Sequence, residues 1–252
     1  MACPGARLPT KEPATAFSWP ARWQAELDQA KIDFPGSPTP RESPVPGPPN
    51  RAAPAVSRRR VATVDGGTMV GFGHKQAWLA VRDGAAAVAA LGLRDLGPAP
   101  WRTAVDMAYL TDNRLVVTPP LPGAGGAWQL VAGRWLMLRY HDLDIAKLSV
   151  DLGTEVQLFA THRVVETHRW ARAAHGTVLR EFGYAGDTGE LVAWHGRPDE
   201  VETALGLPAE PDDDVDILVS EHDVMTVARA WSVDPTSIDR QPAAGPPRVA
   251  AA

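Results

Sequence analysis

Two histidines and a glutamate crowd one short stretch of this chain: His162, Glu166 and His168, with Arg163 and Arg172 beside them. Two imidazoles and a carboxylate are the donor set that holds zinc or iron. In an unbroken strand, even-numbered residues share a face, so all three side chains would point the same way. Residues four apart on a strand are nevertheless ~13 Å apart, too far to share one ion. The spacing therefore predicts no metal site and no cofactor. It leaves His162, Arg163, Glu166, His168 and Arg172 as candidate binding residues. The competing expectation is a polar sheet surface on which Arg163, Arg169 and Arg172 pair with Glu155, Glu166 or Glu181, each pair contributing only ~0.2–1 kcal/mol.

Other chemistry is thin. His141, Asp142 and Asp144 form a short cluster of a kind common by chance. The Asp212-Asp213-Asp214-Asp216 run lacks the glycine and terminal glutamate of a calcium-binding loop. The glycines of Leu121–Gly126 lack the following Lys-Ser/Thr of a phosphate-binding loop, and no Gly-x-Gly-x-x-Gly or Gly-x-Ser-x-Gly occurs. Beyond residue 68 the serines are Ser149, Ser220, Ser232 and Ser237, and none sits in a nucleophile context. The single cysteine is Cys3, so the body has no thiolate nucleophile and no disulfide, which fits a reducing cytoplasm. No apolar run approaches the ~20 residues that span a bilayer.

The elements that must position these residues follow from period and punctuation. Glu155 to His195 holds four of the seven histidines and two of the nine tryptophans. The alternation of Val178, Arg180, Phe182 and Tyr184 with Leu179, Glu181 and Gly183 is that of a strand. Gly186-Asp187-Thr188-Gly189 suits a hairpin connection, and Leu191 to His195 is the return strand. Upstream, Val164 to Ala173 is a strand that ends in the turn Ala174-His175-Gly176. Such a meander buries one face and wets the other. Trp170, Phe182, Tyr184 and Trp194 are the expected buried set.

Ahead of the meander, Ala77–Val81 is a strand, Ala85–Leu91 a helix by propensity, and Trp101–Leu110 a helix with Trp101, Val105 and Ala108 on one side. Leu115–Thr118 is a strand, Leu121–Gly126 a loop, Ala127–Leu136 a strand, and Ile145–Leu152 a helix that stops at Gly153. After it, Asp199–Leu205 and Val224–Trp231 are helices, the second opened by Ser220 and Asp223 in the manner of a capping box. The order predicts an α+β fold with a mostly antiparallel mixed sheet, a C-terminal β-meander and several short helices on one face.

Composition sets the boundaries. Half of the 24 prolines precede Ser57, which predicts a disordered extension over 1–68. Within it, Ala21–Ile32 could form a fraying helix, and Pro35 and Pro38 have the spacing of a groove-binding proline motif. A single α+β domain is expected over 69–239 and an unstructured tail over 240–252. The extension carries nine basic and six acidic residues. The remainder of the 25 basic and 30 acidic residues, 16 and 24, gives the body a charge of −8. An acidic body without a basic stripe argues against nucleic acid as a partner.

The stretches HKQAWLAVRD, VTPPLPGAGGAWQLVAGRWL, FATHRVVETHRWARA with REFGYAGDTGE, and AWSVDPTSID together resemble a group of actinobacterial hypothetical proteins. The resemblance covers about 71–239 and implies no catalytic or binding residue. It agrees with the Arg-, Ala-, Gly- and Pro-rich composition expected of a GC-rich bacterial genome. Members of the group begin near the equivalent of Met69, which raises the expectation that residues 1–68 are a mis-assigned start. The functional expectation is a small cytosolic protein that binds, neutralises or modulates another protein without catalysis and without a membrane. The alternative is a small-ligand or metal-dependent enzyme that uses the His162/Glu166/His168 region.

Overall fold

The computed structural model describes residues 67–164, 166–186, 189–211 and 217–252. In chain order the elements are β1 (Gln76–Val81), α1 (Gly84–Ala90), β2 (Arg94–Pro98), α2 (Trp101–Leu110), β3 (Arg114–Val117), β4 (Leu121–Gly123), β5 (Gly126–Ala132), α3 (Arg134–Met137) and α4 (Ile145–Leu152). There follow β6 (Val156–His162), β7 (Thr167–Ala174), β8 (Thr177–Ala185), β9 (Glu190–His195), α5 (Glu200–Ala204), α6 (Glu221–Trp231) and β10 (Arg248–Ala251). The fold is α+β. One antiparallel sheet runs β2-β10-β3-β5-β1-β6-β7-β8-β9, and β4 pairs with β5 beside that path.

Helices cover both faces of the sheet, not one. On β1, Trp78 and Ala80 face a core shared with α2 and α6, while Ala77, Leu79 and Val81 face a second core shared with α1, α3 and α4. A strand buried on both sides has no polar side to alternate with. That is why β1 is apolar throughout and every one of its residues is buried. The meander strands behave alike: Phe159, Trp170, Phe182 and Tyr184 enter the first core, and Val156, Leu158 and Ala171 the second. Val178, expected beside Arg180 and Phe182, packs on the second core instead. A register shift between Arg172 and Ala173 on β7 brings Val178 opposite Ala173, and the alternation slips at Leu179.

Helix boundaries follow local chemistry. Asp83 and Asp144 accept hydrogen bonds from Ala86 N and Lys147 N at the starts of α1 and α4. Gly153 takes the left-handed conformation, φ 63°, that ends α4. The Asp223 carboxylate accepts from both the N–H and the hydroxyl of Ser220 at the start of α6. Gly133 breaks what the sequence predicts as one strand over Ala127–Leu136. Its φ is 155°, a side chain there would meet the Arg114 carbonyl at 2.5 Å, and the chain enters α3.

Three further expectations are corrected. The proposed loop Leu121–Gly126 contains β4 and the first residue of β5. The proposed tail over 240–252 supplies β10, which inserts between β2 and β3 and buries Val249, Ala250 and Ala251. Thr68, placed in the extension, bridges to Pro242. Residues 1–66 of the extension, with Ala21–Ile32, Pro35 and Pro38, lie outside the described residues, as does the Asp212–Asp216 run. No helix among the described residues is long and apolar enough to cross a membrane.

Candidate functional site

The five predicted binding residues separate. β6 and β7 form a hairpin in which Thr161 faces His168 and His162 faces Thr167. Opposed residues share a face, so His168 lies on the α6 side and His162 on the other. The shared face expected from even numbering fails because a turn interrupts the strand. Arg163 and Glu166 are exposed in that turn, and Glu166 has a φ of 45°. Its carbonyl accepts from Gly186 N at 2.9 Å. Among the described residues, no group of three or more His, Cys, Asp or Glu is placed to hold a metal ion.

His168 belongs to a hydrogen-bonded chain that runs to the surface. The Thr161 hydroxyl donates to Glu221 Oε1 at 3.4 Å, and His168 Nδ1 lies 3.0 Å from Thr161 Oγ1, which is then the acceptor of their bond. Glu221 Oε2 bonds His74 Nδ1 at 2.7 Å, and Oε1 accepts from Lys75 N at 3.1 Å. The Tyr109 hydroxyl fixes the same loop: it donates to the His74 carbonyl at 2.9 Å and accepts from Gly73 N at 3.1 Å. Burial pushes His168 down to about 4, against the opposing pull of Glu221 and Asp223. Burial also lowers His162, and it raises the Tyr109 hydroxyl to about 12. The buried imidazoles are therefore neutral at pH 7, and His74 is the exposed end of the chain.

Arg172, on β7, lies against Trp231 at the other end of α6, almost three turns from Glu221. It helps line an open cleft of about 570 Å³ together with Arg82, Trp128, Glu155, Asp199 and Trp231. Each arginine is stacked on an indole: Arg82 lies 3.5 Å from the Trp128 ring centre and Arg172 lies 4.5 Å from that of Trp231. Arg82 is further held by the carbonyls of Ala127 at 2.8 Å and Gly125 at 3.1 Å. Arg172 is less well satisfied. It approaches Asp199 only to 3.6 Å, and its buried Nε–H has no hydrogen-bond partner among the described residues. Asp199 is already engaged by Trp231 Nε1 at 2.6 Å and by Val201 N at 3.1 Å and Glu202 N at 3.2 Å at the start of α5.

A buried ion pair sets the position of that wall. Arg180 and Glu202 are 1% and 0% exposed, with Nε and Oε1 2.8 Å apart. Glu202 also accepts from Trp170 Nε1 at 2.7 Å and from Asp199 N at 3.0 Å, which locks the first turn of α5 to the sheet. Arg180 spends Nη1 on the carbonyls of Glu181, His195 and Gly196. Among the described residues, the arginine pairings expected on the sheet surface are realised in one case, Arg169 with Glu181.

The sequence pointed to Arg172 through local density of charge. It did not point to Arg82, Trp128, Asp199 or Trp231, which come from four separate elements and have no common motif. Asp199 alone carried a signal, as the first residue of the helix predicted over Asp199–Leu205, and the structure makes it the N-terminal cap of α5. No protein-family model matches the chain, and neither a curated protein nor a solved structure matches it.

Proposed function

We propose that this domain is a protein-interaction module, working in the cytosol without catalysis, and that the cleft beside α6 is where it meets its partner. One observation carries the reading: Arg82 and Arg172 line one open cleft, each stacked on a tryptophan that is otherwise packed into the fold. Arginine and tryptophan are the side chains that dominate binding energy at protein interfaces, and they do so when their geometry is fixed in advance. Here the indoles and the two carbonyls under Arg82 fix it. The acidic body keeps nucleic acid away from this surface.

A photo-crosslinking residue at Ala124 or Ala230, in the cleft wall, tests the reading in cells. The expected result is a cross-link to one protein that binds the purified domain, with affinity reduced at least tenfold by Arg172→Ala. Binding that is unchanged in both Arg82→Ala and Arg172→Ala refutes the cleft. The alternative, a small-ligand enzyme, keeps one supporting observation: His168 is joined through Thr161 and Glu221 to an exposed imidazole. Of the other residues named for it, His162 lies within electrostatic reach of Glu221 and His168, and Glu166 is exposed in the turn beyond it.

A further inference from the structure

We infer that two copies of this chain pair edge to edge through β9, antiparallel and related by a two-fold axis. The sheet ends in two strands of opposite character. β2 carries Arg94, Asp95, Gly97 and Pro98, the charges and backbone breakers that keep a sheet edge from pairing. β9, which among the described residues pairs with β8 alone, carries Leu191, Val192, Ala193 and Trp194 in succession. A run that is apolar on both faces belongs to a strand inside a sheet, as in β1, yet all four of these residues are only half-buried. β9 has the composition of an interior strand and the position of an edge.

The pairing of β9 with β8 decides which neighbour fits. Gly183 stands opposite Ala193 and Tyr184 opposite Leu191, so Val192 is an extra residue in a bulge. Leu191 and Trp194 therefore share a face, both packed on the first core beside Tyr184 and Phe182. Val192 and Ala193 lie together on the other face, where a side chain at Gly183 would meet Val192 Cγ2 at 2.9 Å and Ala193 Cβ at 3.1 Å. From Glu190 to His195 the sequence of faces is thus the same in both directions. An antiparallel second copy sets Leu191 against its Trp194, Val192 against its Ala193 and Glu190 against its His195, each pair on one face. Placing Trp194 opposite Val192 or Ala193 instead would oppose residues of different faces. Charge agrees with the same arrangement. Exposed Arg197 follows His195, so the acidic end of one strand meets the basic end of the other, whereas parallel pairing would align like ends. A contact between identical copies requires this self-complementarity, and a strand from a different protein does not. No residue of β9 lines the cleft, so the pairing is independent of docking there.

Sedimentation velocity of the full-length chain and register-specific cross-linking test the inference. Six residues a side make a small contact, so the expected species is a dimer that dissociates on dilution. Val192→Lys puts a charge on the edge strand and should leave a folded monomer, with circular dichroism reporting the fold. Should that variant unfold, the register decides alone. In a Cys3→Ser background, a mixture of Glu190→Cys and His195→Cys chains should form the mixed disulfide on mild oxidation, while either chain by itself forms little. A chain that stays monomeric at the highest concentration reached overturns the inference, whether β9 is bare or covered by another segment of the same chain. A dimer that persists in folded Val192→Lys, like chains cross-linking as readily as unlike ones, or a different protein cross-linked at Glu190→Cys in place of the second copy would each do the same.

Discussion

Replacing Glu202 with alanine should cost about 3–5 kcal/mol, the range seen when one member of a buried ion pair is removed. The structure places this substitution at the severe end of what a single change does. Glu202 is fully buried and serves three donors: the Arg180 guanidinium, the Trp170 indole and the Asp199 N–H. Alanine leaves a buried cation held by neutral carbonyls and the Trp194 ring face, together with an indole N–H that loses its Glu202 acceptor. Glu202→Gln keeps an acceptor for Trp170 and should cost less than alanine. A double replacement, Arg180→Met with Glu202→Leu, removes both charges and should be less destabilising than Glu202→Ala alone. Urea melts followed by far-UV circular dichroism measure all three. If Glu202→Ala lies within ~1 kcal/mol of the parent, or if the double variant is the least stable, the buried pair is not what fixes α5 to the sheet.

Four further outcomes are expected. His168 has its pKa lowered to about 4 by burial, while the unfolded chain takes up the same proton near ~6.5, so stability present above that pH is lost as pH falls toward 4. The full effect is about 3 kcal/mol. His141, depressed to about 3, acts in the same direction, and His168→Gln should flatten but not abolish the slope; an unchanged slope refutes the assignment. Trp170→Ala should cost ~3–5 kcal/mol and the half-buried Trp194→Ala clearly less, measured by urea melts, with equal losses counting against the burial argument. A chain ending at Pro247 loses the strand between β2 and β3 and should unfold at markedly lower urea, whereas an unchanged midpoint would show β10 to be dispensable. A chain beginning at Met69 should melt like the full-length protein, because Met69 N donates to Gln241 O at 2.8 Å and its carbonyl accepts from Arg240 N at 3.0 Å. A lowered midpoint would assign the preceding residues a part in the fold.

What the sequence disclosed depended on how locally each feature is encoded. α2 and α4 were legible within a residue because apolar spacing and a stop signal lie in the segment itself, as with Gly153 after Leu152. Two of the meander's turns were legible because glycine marks them, at Gly176 and Gly189, whereas the β6–β7 turn has no glycine and Val164 and Glu166 lie in it where a strand is expected. β2 was invisible: Arg94–Pro98 is mostly exposed, contains Gly97 and Pro98, and shows no alternation. β10 was hidden in a Pro/Ala/Gly-rich stretch, because its burial is supplied by β2 and β3 and not by its own apolar side chains. Parity along β6 and β7 misled for His162 and His168, because the turn between them returns the chain on the opposite phase. The cleft was illegible in principle. Arg82, just past the end of β1, and Trp128, on β5, are brought together by the pairing of those strands, which leaves no trace in spacing.

Trp231 is a tryptophan that packs into the core and also lines the cleft. α6 runs from Glu221, inside the imidazole chain, to Trp231, at the cleft, with Val224, Val227 and Ala228 buried between them. The Trp231 ring meets Phe159 at 5.9 Å on the core side, gives its N–H to Asp199, and offers its face to Arg172. Its carbonyl accepts from the buried Gln157 at 3.1 Å, which fixes the helix end against β6. The contacts that bury the indole are thus the ones that hold it rigid beneath the guanidinium. A surface arginine on a mobile side chain loses rotamer freedom when it binds, and one already stacked on an anchored ring loses little. Core packing and the placement of Arg172 are in this sense one arrangement, so Phe159→Leu, which leaves every residue lining the cleft in place, should weaken the binding proposed there, and an unchanged Kd for the cross-linked protein refutes the coupling.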